Sequence, residues 1–467
     1  YCQADNEAAA REIHRRVWNQ GIVPFILVET PKALRLYSGF RCLPEANTDQ
    51  ERGVLEAAVA FNEVADRLGA FRSDAIDSGA VWDRWANEVD PRSRVDWSLL
   101  AGLEALGKEL RDRCHQLDRP HAHALIGKFV YLKYLRDRRI LSDRKLAKWG
   151  LTESDLFGHA ATMTAFWKVN DELEEWLNGS VFPLPRNAIR AEHVRLVANV
   201  FMGGSGRQLS LNLGLYDFSF IPIETLSVIY QQFLHAPEEG RASRGREAGA
   251  YYTPLPLVNY MLGELESRRP LVEGMRVLDP SCGSGAFLVQ CYRMLIEKRL
   301  LKQDHLRPAE LREILRKHIF GVDRDGDACQ VAEMSLILTL LDYTKPPDLE
   351  SNPQFKLPTL RDENIFQADF FDPDSPWARK RSMLRVDWLV GNPPWLKASK
   401  KKVEDGHALK WMQVNAKQSP TGGKQVAEAF VWHSLPLLNE EAVASLLLPA
   451  MTLFKMESTG FRARLFQ

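Results

Sequence analysis

From Arg276 onward the chain repeats one pattern, a short apolar run followed by a stretch with helical spacing. The runs are "RVLDP" (276–280), "IFGVD" (319–323), "NIFQAD" (364–369), "VDWLVG" (386–391) and "ASLLLP" (444–449). The helical stretches include one reaching about Leu301, "ACQVAEMSLILTLL" (328–341) and "VAEAFVWHSLPLL" (426–438). Parallel strands need long crossovers and are covered on both faces, so this alternation predicts an α/β domain with a doubly wound, mainly parallel sheet. Such sheets take ligands at the carboxyl ends of their strands. The unusual residues of this chain fall at those ends.

The 467 residues exceed the roughly 250–300 at which one core stops growing, so further domains are expected upstream. Residues 1–80 read as a small α/β segment, with two strands in 23–42 around a Thr30-Pro31 turn and a preceding helix rich in Ala, Glu and Arg. Residues 81–219 read as a helical domain, with Leu125, Phe129, Leu132 and Leu135 at spacings of three and four. The sheet domain is expected over 220–467, with Gly203-Gly204-Ser205-Gly206 as a flexible break and 236–250 as a mobile loop. The first residue is Tyr1, not Met, which points to a leading segment outside the sequence.

Sixty-one Lys and Arg balance sixty-one Asp and Glu, so only local clusters can argue for a polyanionic partner. One runs from Lys108 to Lys148; the other lies between Lys397 and Lys424 and contains Lys400, Lys401 and Lys402. The six cysteines are scattered, with no Cys-x-x-Cys pair and no metal-ligand spacing, so no metal is expected and the thiols fit a reducing, cytoplasmic compartment. With no run of eighteen apolar residues and no signal-peptide pattern, no membrane span is expected.

Four strand ends carry chemistry. After Asp279, the loop with Ser281, Cys282, Gly283 and Gly285 leads into a helix beginning near Phe287. Its glycines let the backbone approach a ligand, and the helix start offers unpaired N–H groups. The spacing is neither G-x-G-x-x-G nor a phosphate loop. Asp323 ends the second run, suited to two ribose hydroxyls. Asp369 and Phe370 end the third, suited to an amino group and a flat ring; taken alone, such residues are more often a helix cap, a surface carboxylate or core packing. The fourth run stops at Asn392-Pro393-Pro394-Trp395, where the prolines fix φ and remove N–H donors.

The order Gly249-Ala250-Tyr251-Tyr252-Thr253-Pro254, then Asp279-Pro280-x-Cys282-Gly283-Ser284-Gly285-x-Phe287, then Asn392-Pro393-Pro394-Trp395 resembles the gamma-ordered N6-adenine DNA methyltransferases, over about 220–467. The upstream "LIGKFVYLKYLRDR" resembles type I modification subunits, and the start of the chain resembles single-chain type IIG restriction-modification proteins. The resemblance implies a Rossmann-like sheet that binds S-adenosylmethionine. The methionine part would lie near Tyr252, Thr253, Asp279 and Gly283 to Gly285, the ribose on Asp323, and the adenine beside Asp369 and Phe370. It further implies a target adenine flipped out of double-stranded DNA and stacked on Trp395, with Asn392 Oδ1 and the Pro393 carbonyl accepting from its amine. Trp395 departs from the commoner Tyr or Phe.

Lys397, Lys400, Lys401, Lys402 and Lys424 would then contact phosphates. The family would supply two more strands and a target-recognition domain beyond Gln467, and specificity, nuclease or other defence-complex subunits as partners. A nuclease remnant in 1–80 has only Glu29-Thr30-Pro31-Lys32 to rest on, one residue longer than Glu-x-Lys and broken by a proline. Two other readings use the same residues: a catalytically silent DNA- or cofactor-binding subunit, and a protein or RNA amino-group methyltransferase.

Overall fold

The computed structural model describes residues 1–42, 53–178, 181–202, 213–234, 253–399 and 406–466. The 203–206 break, the 236–250 loop, Tyr252 and Lys400 to Lys402 lie outside them. The chain forms two compact units, Tyr1–Glu172 with Phe182–Ile229, and Leu173–Val181 with Tyr230–Gln467.

In the first unit a four-stranded sheet runs β1 (Cys2–Gln3), β2 (Phe25–Glu29), β3 (Leu34–Ser38) and β4 (Val54–Val59), in that order, with a helix at Glu7–Gln20 between β1 and β2. The β2–β3 turn is closed by Thr30, whose N–H and hydroxyl both donate to the Ala33 carbonyl, at 2.9 and 2.8 Å. Strand alternation splits the apolar residues: Ile26, Val28 and Tyr37 pack with Ala10 on one face, Leu34, Leu36 and Val59 with Leu68, Val81 and Trp85 on the other. Helices follow at Val95–Leu110, Arg119–Asp137 and Ala191–Met202. The second is buried on most sides and is capped by Asp118, whose side chain accepts from His121 N–H.

The second unit holds β5 (Val277–Asp279), β6 (Ile319–Asp323), β7 (Ile365–Gln367), β8 (Val386–Gly391) and β9 (Leu438–Leu446). All pairings are parallel and the spatial order is β7-β6-β5-β8-β9. Strand order therefore reverses between β5 and β8, the switch point at which doubly wound sheets open a crevice. On one face Leu278, Phe320, Val322, Phe366 and Leu389 pack with Phe370, Trp377, Leu409, Met412 and Phe430. Two boundaries differ from the sequence reading. The helix expected over 426–438 ends at Ser434 and continues as a 3₁₀ turn, Leu435–Leu437, because Pro436 has no N–H to continue the ladder. The last strand begins at Leu438, ahead of the apolar run, since an edge strand carries Asn439, Glu440 and Glu441 without burying them.

Candidate active site

The β5 strand ends on Asp279, and the chain then turns through Pro280 to Gly285 into a helix at Ala286–Leu300. Cys282 N–H donates to the Val322 carbonyl at 2.9 Å, which lays the turn across the end of β6. Gly283 and Gly285 have φ of +53° and +85°, values that L side chains rarely adopt. A Cβ on Gly285 would also stand 3.1 Å from the Ala332 Cβ, so the turn and the helix Gly326–Asp342 meet closely there. Above Gly283 the nearest atom to such a Cβ would be Gln231 Nε2 at 3.6 Å, an ordinary contact with the far end of a side chain.

Two carboxylates flank this turn. Asp323 accepts from Gly283 N–H through Oδ2 and from Asp325 N–H through Oδ1, each at 2.8 Å. Asp279 is 1% exposed and its Oδ1 accepts from Ser281 N–H at 3.0 Å. Burial pushes Asp279 up to about 8, against the Ser281 hydrogen bond and helped by the charge of Asp323. Burial likewise raises Asp323 and Asp369. The Cys282 thiol is held well above its ordinary range by the Cys329 thiol beside it and by burial, so it is no thiolate nucleophile.

The Asp279 shift has a sign that can be measured. Its folded value lies above the unfolded value of 3.8, so between those values the folded chain holds a proton that the unfolded chain releases, and stability falls as pH rises. His433 acts oppositely: burial brings it from 6.5 to about 3, so stability falls as pH drops through that range. Above pH 6.5 the Asp279 effect is no longer opposed by His433. The expected result is a Tm of the ligand-free protein that declines from about pH 6.5 to 8, with Asp279→Asn flattening the decline. Equal slopes for the two proteins would refute it.

The end of β8 forms a tight corner. Leu447 N–H donates to the Gly391 carbonyl at 2.9 Å, and the Leu447 carbonyl accepts from Trp395 Nε1 at 3.1 Å. One residue beyond β9 thus holds both ends of Gly391-Asn392-Pro393-Pro394-Trp395. The Trp395 ring is 39% exposed, tethered by an indole N–H that Tyr or Phe at this place would lack. Asn392 Nδ2 donates to Thr253 Oγ1 at 3.1 Å. Leu396 N–H takes the Pro394 carbonyl at 3.1 Å, whereas no described group donates to the Pro393 carbonyl.

Thr253, Asp279, Ser281, Cys282, Gly283, Phe287 and Asn392 line one cleft, together with Gln231, Ser284 and Ala286. The sequence reading singled out neither Gln231 nor Gly391 as site residues. Gly391 was visible as a lone glycine ahead of Asn392, while Gln231 reaches the glycine turn from a helix at Ile223–Leu234 and carries no local signal. Asp323 sits at the β6 end beside the turn, and Asp369 follows β7, where its Oδ1 accepts from Phe371 N–H at 2.9 Å. Phe370 is not brought to the cleft. Its ring is 3% exposed, stacked on Phe430 at 5.1 Å and on Trp377 at 5.8 Å, which makes it core. Lys397 pairs with Glu457 at 3.1 Å, and Lys424 is exposed in a turn with φ +63°. Among the described residues no cluster of three His, Cys, Asp or Glu could hold a metal ion, and no helix is long and apolar enough to cross a membrane.

The family model described as N-6 DNA Methylase matches residues 222–465. The chain is similar to the type I restriction enzyme EcoEI methylase subunit of Escherichia coli, 24% identical over 61% of this chain and 50% of that protein. It is also similar to the type II methyltransferase M.BstVI of Geobacillus stearothermophilus, 27% identical over 43% of this chain and 33% of that one. Among solved structures, the type IIG restriction endonuclease BpuSI matches at 13% identity and a TM-score of 0.44, covering 96% of this chain and 45% of that one. The chain thus spans half or less of the length of these curated relatives.

Proposed function

The chain belongs to the N-6 DNA methylase family, and from that premise we propose that it methylates N6 of an adenine extruded from double-stranded DNA, using S-adenosylmethionine, in a restriction-modification or phage-defence system. The observation that carries this reading is the convergence of Asn392, Thr253, Asp279 and the glycine turn on one cleft at the switch point of the sheet. The cleft fits the cofactor on two counts. No atom stands closer than 3.6 Å to where a Cβ on Gly283 would be, and Ser281 Oγ is buried with no partner among the described residues. Asp279, Ser281, Gly283 and Asp323 would hold the cofactor, with Asp369 near its base. S-adenosylmethionine supplies an electrophilic methyl group when bound.

The chain's own contribution is to prepare the nucleophile. An adenine amine is a poor nucleophile because its lone pair is conjugated with the ring. Acceptors at Asn392 Oδ1 and the Pro393 carbonyl hold both amine hydrogens away from the ring plane and free that lone pair. Pro393 and Pro394 keep the acceptors still, since preorganised dipoles need no rearrangement during reaction. No strong base is needed, because the methylated nitrogen loses its proton readily. Lys397 and Lys424, with Lys400, Lys401 and Lys402, supply phosphate contacts; an exposed pair such as Lys397–Glu457 contributes only about 0–1 kcal/mol and is readily exchanged. We assign residues 1–80 and 81–219 to DNA clamping or subunit contact, and the protein to the cytoplasm with specificity or nuclease subunits as partners.

The test is full-length protein with unmethylated duplex DNA and S-adenosylmethionine, read by mass spectrometry of the nucleosides. N6-methyladenine is expected; its absence under all partner conditions, or a product on protein or RNA alone, overturns the reading. Stacking on an aromatic ring is worth ~1–3 kcal/mol per base, so Trp395→Ala is expected to lower kcat/KM by roughly 10–10²-fold and to quench the 2-aminopurine signal of an extruded base. Unchanged methylation and flipping would remove Trp395 from the base platform.

A further inference from the structure

The helix Leu255–Arg268 has Pro254 at its N-cap, so Thr253 stands one residue ahead of the capping position. Thr253 is buried in the cleft, and its hydroxyl accepts from Asn392 Nδ2 at 3.1 Å. The two residues are 139 apart in sequence. A carboxamide has a donor end and an acceptor end, so occupying the donor end fixes where the acceptor points. Leu447 and the prolines hold the backbone of the corner but do not set the rotation of the Asn392 side chain. The Thr253 hydroxyl engages the donor end of that side chain.

We infer that Thr253 is a positioning residue for Asn392, fixing its carboxamide so that Oδ1 faces the amine to be methylated. This rests on the proposed methyl transfer and gives Thr253 a role in place of the cofactor contact expected from the sequence. A 1 Å misplacement of a reacting group can cost on the order of 10²-fold in rate, which sets the expected size of the effect. Thr253→Val keeps the shape and removes the hydroxyl; Thr253→Ser restores it.

The experiment compares wild type, T253V and T253S, all full-length, for single-turnover methylation of duplex DNA and for S-adenosylmethionine affinity by calorimetry. The expected result is a rate for T253V lower by on the order of 10²-fold, a cofactor affinity within a few-fold of wild type, an unchanged KM for DNA, and recovery of rate in T253S. A T253V protein as fast as wild type overturns the inference, as does a rate loss matched by an equal loss of cofactor affinity. A rate loss that T253S does not recover, at an unchanged melting temperature, also overturns it. A wild type that binds the cofactor and never methylates adenine overturns the underlying reading instead, so the two failures are separable.

Discussion

Asn392→Ala is expected to abolish detectable methylation, with the single-turnover rate falling by on the order of 10²–10³-fold or more, while S-adenosylmethionine affinity changes little. The asymmetry follows from what Asn392 touches. Its Nδ2 donates to Thr253 and its Oδ1 is the acceptor proposed for the target amine, whereas the cofactor rests mainly on the glycine turn, Asp279 and Asp323. Truncation leaves the amine lone pair conjugated and removes an acceptor aimed at charge that develops only in the transition state. Labelled-methyl incorporation into duplex DNA reads the rate, and calorimetry reads the affinity. A variant within tenfold of wild type would exclude Asn392 from the chemistry.

Gly391→Ala is expected to destabilise the second unit by roughly 2–4 kcal/mol and to weaken cofactor binding at least tenfold. Gly391 has φ +147°, and a Cβ there would lie 2.5 Å from Asp279 Oδ1. The new methyl group must displace the Asp279 carboxylate or pull β8 from β5, and either change moves the cleft. Gly263→Ala is the control: it lies on the helix Leu255–Arg268 with nothing within 4 Å of the added Cβ. Helix propensity alone favours that change by up to about 1 kcal/mol. Urea unfolding with the ligand-free proteins separates the two. Equal stability of Gly391→Ala and wild type would show that the β5 and β8 ends are not in contact.

Much of the architecture was legible because burial on both faces forces strands into continuous apolar runs. Val277 to Asp279, Ile319 to Asp323 and Val386 to Gly391 read as strands on that ground, and Asp279, Asp323 and Asn392 as their ends. The last strand was placed too late, because an edge strand can begin on Asn439 and Glu440 with no apolar signal at all. The place of the Phe370 ring was not legible for a related reason. An aromatic residue following a strand end looks the same in sequence whether it faces a ligand or the interior, and here Phe430 and Trp377 take its faces.

The sequence by itself determined the alternating α/β plan, the family resemblance and the identity of the residues at the strand ends, because spacing and residue type are local properties. Only the tertiary structure decided which of those residues act on one another. That Gly391 must be glycine because Asp279 stands against it, that Leu447 holds both ends of the Asn392 corner, and that Thr253 meets the Asn392 carboxamide depend on contacts between segments far apart in the chain. The physical reason is that a steric clash or a hydrogen bond acts over a few ångströms of space, and no periodicity along the chain records which distant residue will fill that space.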